Sequence, residues 1–397
     1  MHIRTQVGII GAGPAGLTLA NILTAEGVDC IVVETQPRAH VVSRARAALV
    51  EPRTVVALDR YGLADGLLSA GMPHGSCEFR GNGERFSVPY SVLAGGRYHQ
   101  VYPQQLLHAD LIAARDAAGG ALYFQHAAVA LKAGDLSEGG TITVESAQSG
   151  SRFDIECDVI AGCDGFHGVA RRAVPLEHLR PRVKQHDFGW LAVLADATPS
   201  TTDIVYALHD DGYAGHMLRT STVSRYYLQC PVGDSADNWS DDRIWSELER
   251  RLAVPDWKLT TGRITQRNVL DMRSYMSTRM DFGSLFLVGD AAHTITPAGG
   301  KGMNLAIADS VALASALTHY FRAGGTDRLR AYSAERIADN WRSQEFSHWF
   351  MQLLHTPAGE AGDASFMRRL RSSRLDMLRS STAHASAFAE SYVGPAR

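Results

Sequence analysis

Residues 6–34, QVGIIGAGPAGLTLANILTAEGVDCIVVE, constrain this chain more than any other stretch. An apolar run, Val7 to Ile10, leads into Gly11, Gly13 and Gly16. A helical apolar pattern through Leu17, Ala20 and Leu23 follows, stops at Gly27, and gives way to a second strand ending on Glu34. The spacing predicts a βαβ unit that binds a dinucleotide. Gly11 permits the tight turn, Gly13 lets the backbone approach a pyrophosphate, and Gly16 allows the helix to pack closely on the strand. The helix N-terminus then faces the phosphates. Glu34, 18 residues beyond Gly16, is placed to accept hydrogen bonds from an adenosine ribose. No second G-x-G-x-x-G follows, so any nicotinamide coenzyme must visit without a domain of its own.

At 397 residues the chain is long enough for two or three domains and a large core. A net charge of -3 with 20% charged residues gives no basic surface for nucleic acid or membrane. No window approaches 18 uninterrupted apolar residues, and the N-terminus enters a strand within a few residues, so a cytoplasmic protein without a leader is expected. Cys30, Cys77, Cys157, Cys163 and Cys230 are scattered, odd in number and without a C-x-x-C pair. Buried free thiols are therefore expected, with no disulfide framework, metal site or dithiol centre.

In chain order, the second strand is followed by a loop carrying Ser43-Arg44-Ala45-Arg46. Residues 74–96 are rich in Gly and Ser and interrupt the α/β rhythm, which resumes at Gln104 with a helix presenting Leu106, Leu107, Leu111 and Ile112. Strands are predicted over 123–131 and 141–145. Residues 153–168, FDIECDVIAGCDGFHG, alternate and then become wholly apolar, the pattern of a strand entering a buried sheet and ending at a functional edge. Asp164 there could by itself be a helix cap. Residues 285–309, LFLVGDAAHTITPAGGKGMNLAIAD, read as a buried strand, Gly289-Asp290, a Pro/Gly-rich loop and a helix opening near Gly302. Such an opening offers unpaired N–H groups and a positive dipole end. From about 188 to 275 the composition turns β-type, with short strands at 204–209, 213–219 and 225–230. Period-2 spacing puts Ile204 with Tyr206, Gly215 with Met217 and Arg219, and Arg225 with Tyr227. If those faces coincide, two arginines and two tyrosines line one side of a sheet, either a solvated outer face or an inward one that holds an anion. After Leu317 the chain is helical and carries no further motif, and apolar periodicity is low over 358–372.

The N-terminal motif, CDGFHG (163–168) and GDAAHTITPAGGKGMNLA (289–306) together resemble the single-component flavin-dependent aromatic hydroxylases, nearly end to end, and most of all their 4-hydroxybenzoate-hydroxylating branch. The resemblance implies an α/β fold in which a Rossmann-like FAD-binding domain (1–73, 97–180 and 270–330) is interleaved with a β-sheet substrate domain (74–96 and 181–269), followed by a helical C-terminal region (331–397). It implies that Gly11, Gly13, Gly16 and Glu34 hold the ADP part of FAD, with Asp164 also at the cofactor. Arg46 and Gln104 would reach the pyrophosphate and ribityl region, Gly289-Asp290 the ribityl chain, and Gly302-Met303-Asn304 the flavin pyrimidine edge. His167, Arg171 and Arg273 match a transient NAD(P)H contact surface. Arg219 and Tyr227 match residues that bind a substrate carboxylate, and Arg225 an arginine near flavin and substrate. Trp190 and Ile204 would line the same pocket. Tyr206, Tyr392 and His74 match a relay that carries the phenol proton to solvent, beside the carbonyl of Pro297. A homodimer is also implied.

The implied reaction is hydroxylation of a para-phenolic acid ortho to its phenol through a C4a-hydroperoxyflavin, most plainly 4-hydroxybenzoate to 3,4-dihydroxybenzoate, with O2 and NADH or NADPH consumed. Substrate binding would gate a flavin that swings between reduction and oxygen transfer. Three positions depart from the branch pattern: Met217 stands in place of a serine that helps hold the carboxylate, Gly215 in place of a pocket leucine, and Ala298 in place of a threonine. The same chemistry on 4-aminobenzoate or a ring-substituted 4-hydroxybenzoate is the alternative. Thr35 and His40 replace an arginine and a tyrosine carried by members that prefer NADPH, so NADH is expected to serve at least as well. A flavin-dependent dehydrogenase or reductase would share the first motif, but the chain lacks a dithiol and a nicotinamide domain. A halogenase would need a tryptophan-rich motif that Gly189-Trp190-Leu191 does not supply. A non-enzymatic flavoprotein would need no arginine-tyrosine pocket.

Overall fold

The computed structural model describes residues 2–81, 83–355 and 361–395. They form two compact units. The first comprises Met1–Gly71, Tyr102–Lys184 and Ser274–Gln344; the second comprises Met72–Val101, Gln185–Arg273 and Glu345–Arg397. The helical region beyond residue 331 is divided between the units, because the 28-residue helix Asp327–Leu354 contributes to both.

In the first unit a sheet runs in the order Asp281–Phe282, Leu285–Leu287, Arg152–Gly162, His2–Ile10, Cys30–Glu34, Leu122–Phe124. Its inner strands are parallel: Val7 lies opposite Val159 on one side and Cys30 on the other. A parallel strand paired on both sides is covered on both faces, which is why Val7, Ile9, Val32 and Val159 are fully buried and the runs read as continuous apolar sequence. The helix Pro14–Ala25 follows the first strand, and Lys301–Ala323 packs against it within the same core. Two expectations change in detail. The strand predicted over 123–131 breaks at Gln125, whose φ of 58° is left-handed, into Leu122–Phe124 and His126–Ala133. In the helix Gln104–Ala117, Leu107, Leu111 and Ile112 are buried but Leu106 is exposed, since it lies off that stripe.

In the second unit the sheet order is Arg263–Met276, Arg182–Asp196, Ser224–Pro231, Ala214–Leu218, Ile204–Leu208, Cys77–Gly81, Glu84–Val88. Tyr206 lies opposite Gly215, Gly215 opposite Tyr227, and Met217 opposite Arg225. The other parity, with Leu191, Val193, Val205, Ala207, Tyr226 and Leu228, packs into the unit's apolar core beneath the helix Asp241–Leu252. The uncertain tail is helix over Ala361–Ser380 and Thr382–Val393; residues 358–360 lie outside the described residues. All five cysteines are free and buried. Among the described residues no helix is long and apolar enough to cross a membrane.

Candidate active site

The first unit carries a glycine-rich turn that its own packing explains only in part. Gly11 has a φ of 101°, and a Cβ there would approach the Cys163 carbonyl oxygen to 2.6 Å. A Cβ on Gly16 would collide with the Gly11 carbonyl. Gly13 is different: its φ is -75° and a side chain there would meet nothing within 4 Å. The chain itself does not need a glycine at 13, so the open space suits a ligand that approaches the backbone. Helix Pro14–Ala25 begins there with no side-chain cap, leaving its first N–H groups for an anion. Glu34 accepts from Ala12 N (2.8 Å) through Oε2 and from Gln36 N (2.8 Å) through Oε1, which aims the carboxylate and leaves each oxygen a lone pair for a ribose hydroxyl. These features fit FAD.

Farther along, Gly289 and Gly300 adopt φ of 63° and 66°, and Gly300 opens helix Lys301–Ala323 with no side-chain cap. Asp290 sits where loss of solvent pushes its carboxyl up, opposed by His293 and Arg46. Gln104 accepts from Ala47 N (3.2 Å), tying the Arg46 loop to its helix. Gly302 and Met303 lie in the first turn of Lys301–Ala323, where Gly302 has room. Asn304 is fully buried and engaged by the chain: it accepts from Glu51 N and Thr54 Oγ1 and donates to Leu49 and Gly300 carbonyls. Its side chain therefore orders the helix opening, and what it can offer a cofactor is the placement of that N-terminus. Asp164 acts as the cap that its sequence position allowed, accepting from Ala170 N at 2.9 Å. The carbonyl of Pro297 accepts from Gly300 N (3.0 Å), and Ala298 is buried. His167 is exposed; Arg171 is stacked on Phe166 and Tyr275 and bonded to the Phe166 carbonyl. Arg273 belongs to the second unit, where it bonds Gln185 at 3.3 Å.

Sequence reading missed what supports this turn. Asp309, fully buried, accepts from Gly289 N (3.0 Å) and pairs with His293 Nε2 (2.6 Å) and Arg336 Nε (2.7 Å). The charges continue through Asp339 and Arg53 to Glu51, and Glu51 bonds Lys301 Nζ at 2.8 Å. The members of this network, Glu51, Arg53, His293, Lys301, Asp309, Arg336 and Asp339, are scattered along the sequence, and no short motif captures them.

In the second unit the faces coincide as the spacing allowed. Tyr206, Gly215, Met217, Arg225 and Tyr227 share one side of the sheet with Ile204 and Trp190, and Arg219 follows in the same parity. This is the inward reading: Arg219 and Arg225 are each 5% exposed. Burial and then the charge of Arg225 push the Arg219 guanidinium down to about 10, so it remains a cation at neutral pH. Tyr206 Oη bonds Tyr392 Oη at 2.8 Å, both fully buried, and burial pushes both phenols up. His74 Nε2 accepts from Ile204 N (3.1 Å), which places its hydrogen on Nδ1, 2.7 Å from Tyr90 Oη. Burial lowers its pKa to about 4. Tyr90, absent from the sequence reading, lies edge-on to Tyr392 at 4.9 Å and is also 3.1 Å from His99 Nδ1.

Residues 4–347 match the family model described as FAD binding domain. A p-hydroxybenzoate hydroxylase of Acinetobacter baylyi is 38% identical to this chain, over 99% of the chain and 96% of its own length. The chain belongs to the FAD-dependent aromatic hydroxylases. This hydroxylase is also 26% identical to the 3-amino-4-hydroxybenzoate 2-monooxygenase of Streptomyces cremeus, over 89% of each chain. Its fold matches the p-nitrophenol 4-monooxygenase of Pseudomonas putida with a TM-score of 0.83 over 100% of both chains at 20% identity. The α/β fold with a Rossmann-like FAD-binding domain that the resemblance implied is thus the fold of this enzyme.

Proposed function

We propose that this hydroxylase adds one oxygen atom from O2 ortho to the phenol of a para-phenolic aromatic acid, with 4-hydroxybenzoate, converted to 3,4-dihydroxybenzoate, as the leading substrate. One observation carries the reading. A single sheet face holds two buried cations, Arg219 and Arg225, together with Tyr206, whose buried hydroxyl is bonded to that of Tyr392. Such a face suits a ligand with an anion at one end and a phenol at the other. On this reading the first unit is the FAD-binding domain and the second the substrate domain. Gly11, Gly13, Gly16, Glu34, Arg46, Gln104, Gly289, Asp290, Gly302, Met303 and Asn304 would hold FAD, with Asp164 shaping the neighbouring turn. His167 and Arg171 would receive NADH or NADPH. Bound FAD supplies the electrons and activates O2.

Arg219 and Tyr227 hold the acid end, and Arg225 adds positive charge that favours the anionic forms of the substrate. Tyr206 hydrogen-bonds the phenol oxygen. As the phenol proton passes to Tyr206, the Tyr206 proton passes to Tyr392, and His74 with Tyr90 stands farther along the route. The phenolate so formed enriches the ring carbon ortho to oxygen. Trp190, Ile204, Met217 and Gly215 exclude water and position the ring. Mass spectrometry of products from FAD-loaded enzyme, NADH and 4-hydroxybenzoate tests this: one added oxygen at the ortho carbon is expected, and peroxide without product would overturn the substrate assignment. Tyr206→Phe keeps the shape and removes the first relay hydroxyl. Hydroxylation should fall about a hundredfold, with thermal stability little changed; product formed per NADH at the wild-type rate would refute the role.

Met217 and Gly215 favour a second reading, the same chemistry on 4-aminobenzoate or a ring-substituted 4-hydroxybenzoate, and a substrate panel separates the two. For the coenzyme, Arg38 beyond Glu34 is already paired with Asp116 at 2.6 Å, which supports the expectation from Thr35 and His40. Catalytic efficiency with NADH should equal or exceed that with NADPH, and a large NADPH preference would contradict this. A cytoplasmic homodimer accompanies the proposal; light scattering in solution checks the dimer.

A further inference from the structure

Tyr213 precedes the strand Ala214–Leu218 and shares its parity with Gly215, Met217 and Arg219. It is fully buried, its ring packed on Trp190 (4.9 Å), His355 (5.3 Å) and Tyr206 (6.4 Å). Its hydroxyl reaches over the next residue of the same face: a Cβ on Gly215 would fall on Tyr213 Oη. That hydroxyl is buried and has no hydrogen-bond partner among the described residues. Phenylalanine would pack equally well without leaving a polar group dry, so the hydroxyl has no structural reason to be there. The glycine at 215 makes room for it, and the two residues act as one device. Burial, then Tyr206 and Tyr227, push the Tyr213 phenol well above its ordinary value, so it stays protonated and serves as a donor.

We propose that Tyr213 donates a hydrogen bond to the carboxylate of the bound aromatic acid, supplying the polar contact that Met217 cannot make. The inference rests on the hydroxylase reading above. A dry donor needs an acceptor, and the arginines of this face select an anion, the acceptor that makes the strongest bond. The methionine brings no hydrogen for an acid, whereas the hydroxyl of Tyr213, four residues earlier on the same face, does. The pocket therefore exchanges the family's serine and leucine for a methionine and a glycine, with the tyrosine as the partner of both changes.

The test measures dissociation constants for FAD-loaded wild-type enzyme and Tyr213→Phe. The ligands are 4-hydroxybenzoate, 4-aminobenzoate and 3-amino-4-hydroxybenzoate, read by perturbation of flavin absorbance, with thermal melts of the free proteins alongside. All three carboxylates should bind the variant about ten- to a hundredfold more weakly, while the free variant melts no lower than wild type. Gly215→Ala, which displaces the hydroxyl, should weaken the same ligands. Unchanged affinity overturns the proposal, as does a loss confined to the 3-amino compound, which would show the hydroxyl reading the ring. A lowered melting temperature with uniform loss would mark a structural role and overturn it too. If wild type binds none of these acids, the hydroxylase assignment to para-substituted benzoates falls as well; if it binds and hydroxylates one of them, failure in the variant sinks this inference alone.

Discussion

Lowering the pH from 7 to 5 should cost the second unit about 6 kcal/mol of stability, through three histidines held neutral in its interior. His74, His216 and His355 are all buried, and burial lowers their pKa values to about 4, about 4 and about 3. Their geometry explains why. Each uses Nε2 to accept from an N–H group: Ile204 N for His74, Ser200 N for His216, and Trp190 Nε1 for His355. Protonation at that nitrogen would break the bond and set two donors against each other in a dry interior. The sign follows from proton uptake. The unfolded chain binds a proton at each histidine near pH 6.5 and the folded chain does not until pH 3 to 4, so stability falls as pH drops through that window. Each site loses about 2 kcal/mol by pH 5. Five of the six tryptophans, Trp190, Trp239, Trp245, Trp257 and Trp349, belong to the second unit and Trp341 to the first, so tryptophan emission reports mainly on the second. Melts followed by that emission should show the midpoint falling steeply between pH 7 and 5. His355→Gln keeps an acceptor that cannot charge, and it should remove about a third of the drop. A midpoint flat across this range would refute the account.

Those histidines show where sequence reading stops. The βαβ unit was legible because its cause is local: Gly11 needs a left-handed φ, and Gly16 sits under the Gly11 carbonyl. The sheet faces were legible as parities, since alternation puts Tyr206, Arg219, Arg225 and Tyr227 on definite sides. Which side was buried was not, because that depends on what covers the sheet; the burial of both arginines decides it. Tyr90 and Tyr213 belong to no sequence motif, and it is their hydroxyls that distinguish them. The first lies between two histidines that are distant in sequence, and the second projects over a glycine. Asp309 lies mid-helix between Ala308 and Ser310, and only the fold brings it under Gly289.

Removing Asp309 should therefore damage cofactor retention and the first unit together. Its carboxylate holds three groups at once: the Gly289 N–H, His293 and Arg336. The opposing charges hold its carboxyl at about 2 despite full burial. By the same sign argument this stability is present above the unfolded value near 3.8 and is lost only between pH 3.8 and 2. The carboxylate is thus intact at pH 5, and the acid transition belongs to the histidines. Deletion is a different matter, since Asp309→Ala strands the Arg336 guanidinium, the His293 ring and a backbone donor in a dry core. Breaking one side of a buried pair costs about 3–5 kcal/mol, more than the pairing itself contributes. The consequence reaches the far end of the chain of charges, because Lys301 stands at a helix N-terminus where its charge opposes the dipole and depends on Glu51. A fall in melting temperature of about 10 °C is expected, with FAD lost on dilution as the Gly289 turn loses its anchor. Asp309→Asn, which keeps the shape and one acceptor, should fall between the two. Flavin fluorescence released during a thermal ramp reads both effects. A variant that melts within 2 °C of wild type and keeps its FAD would show that the turn is held without the carboxylate.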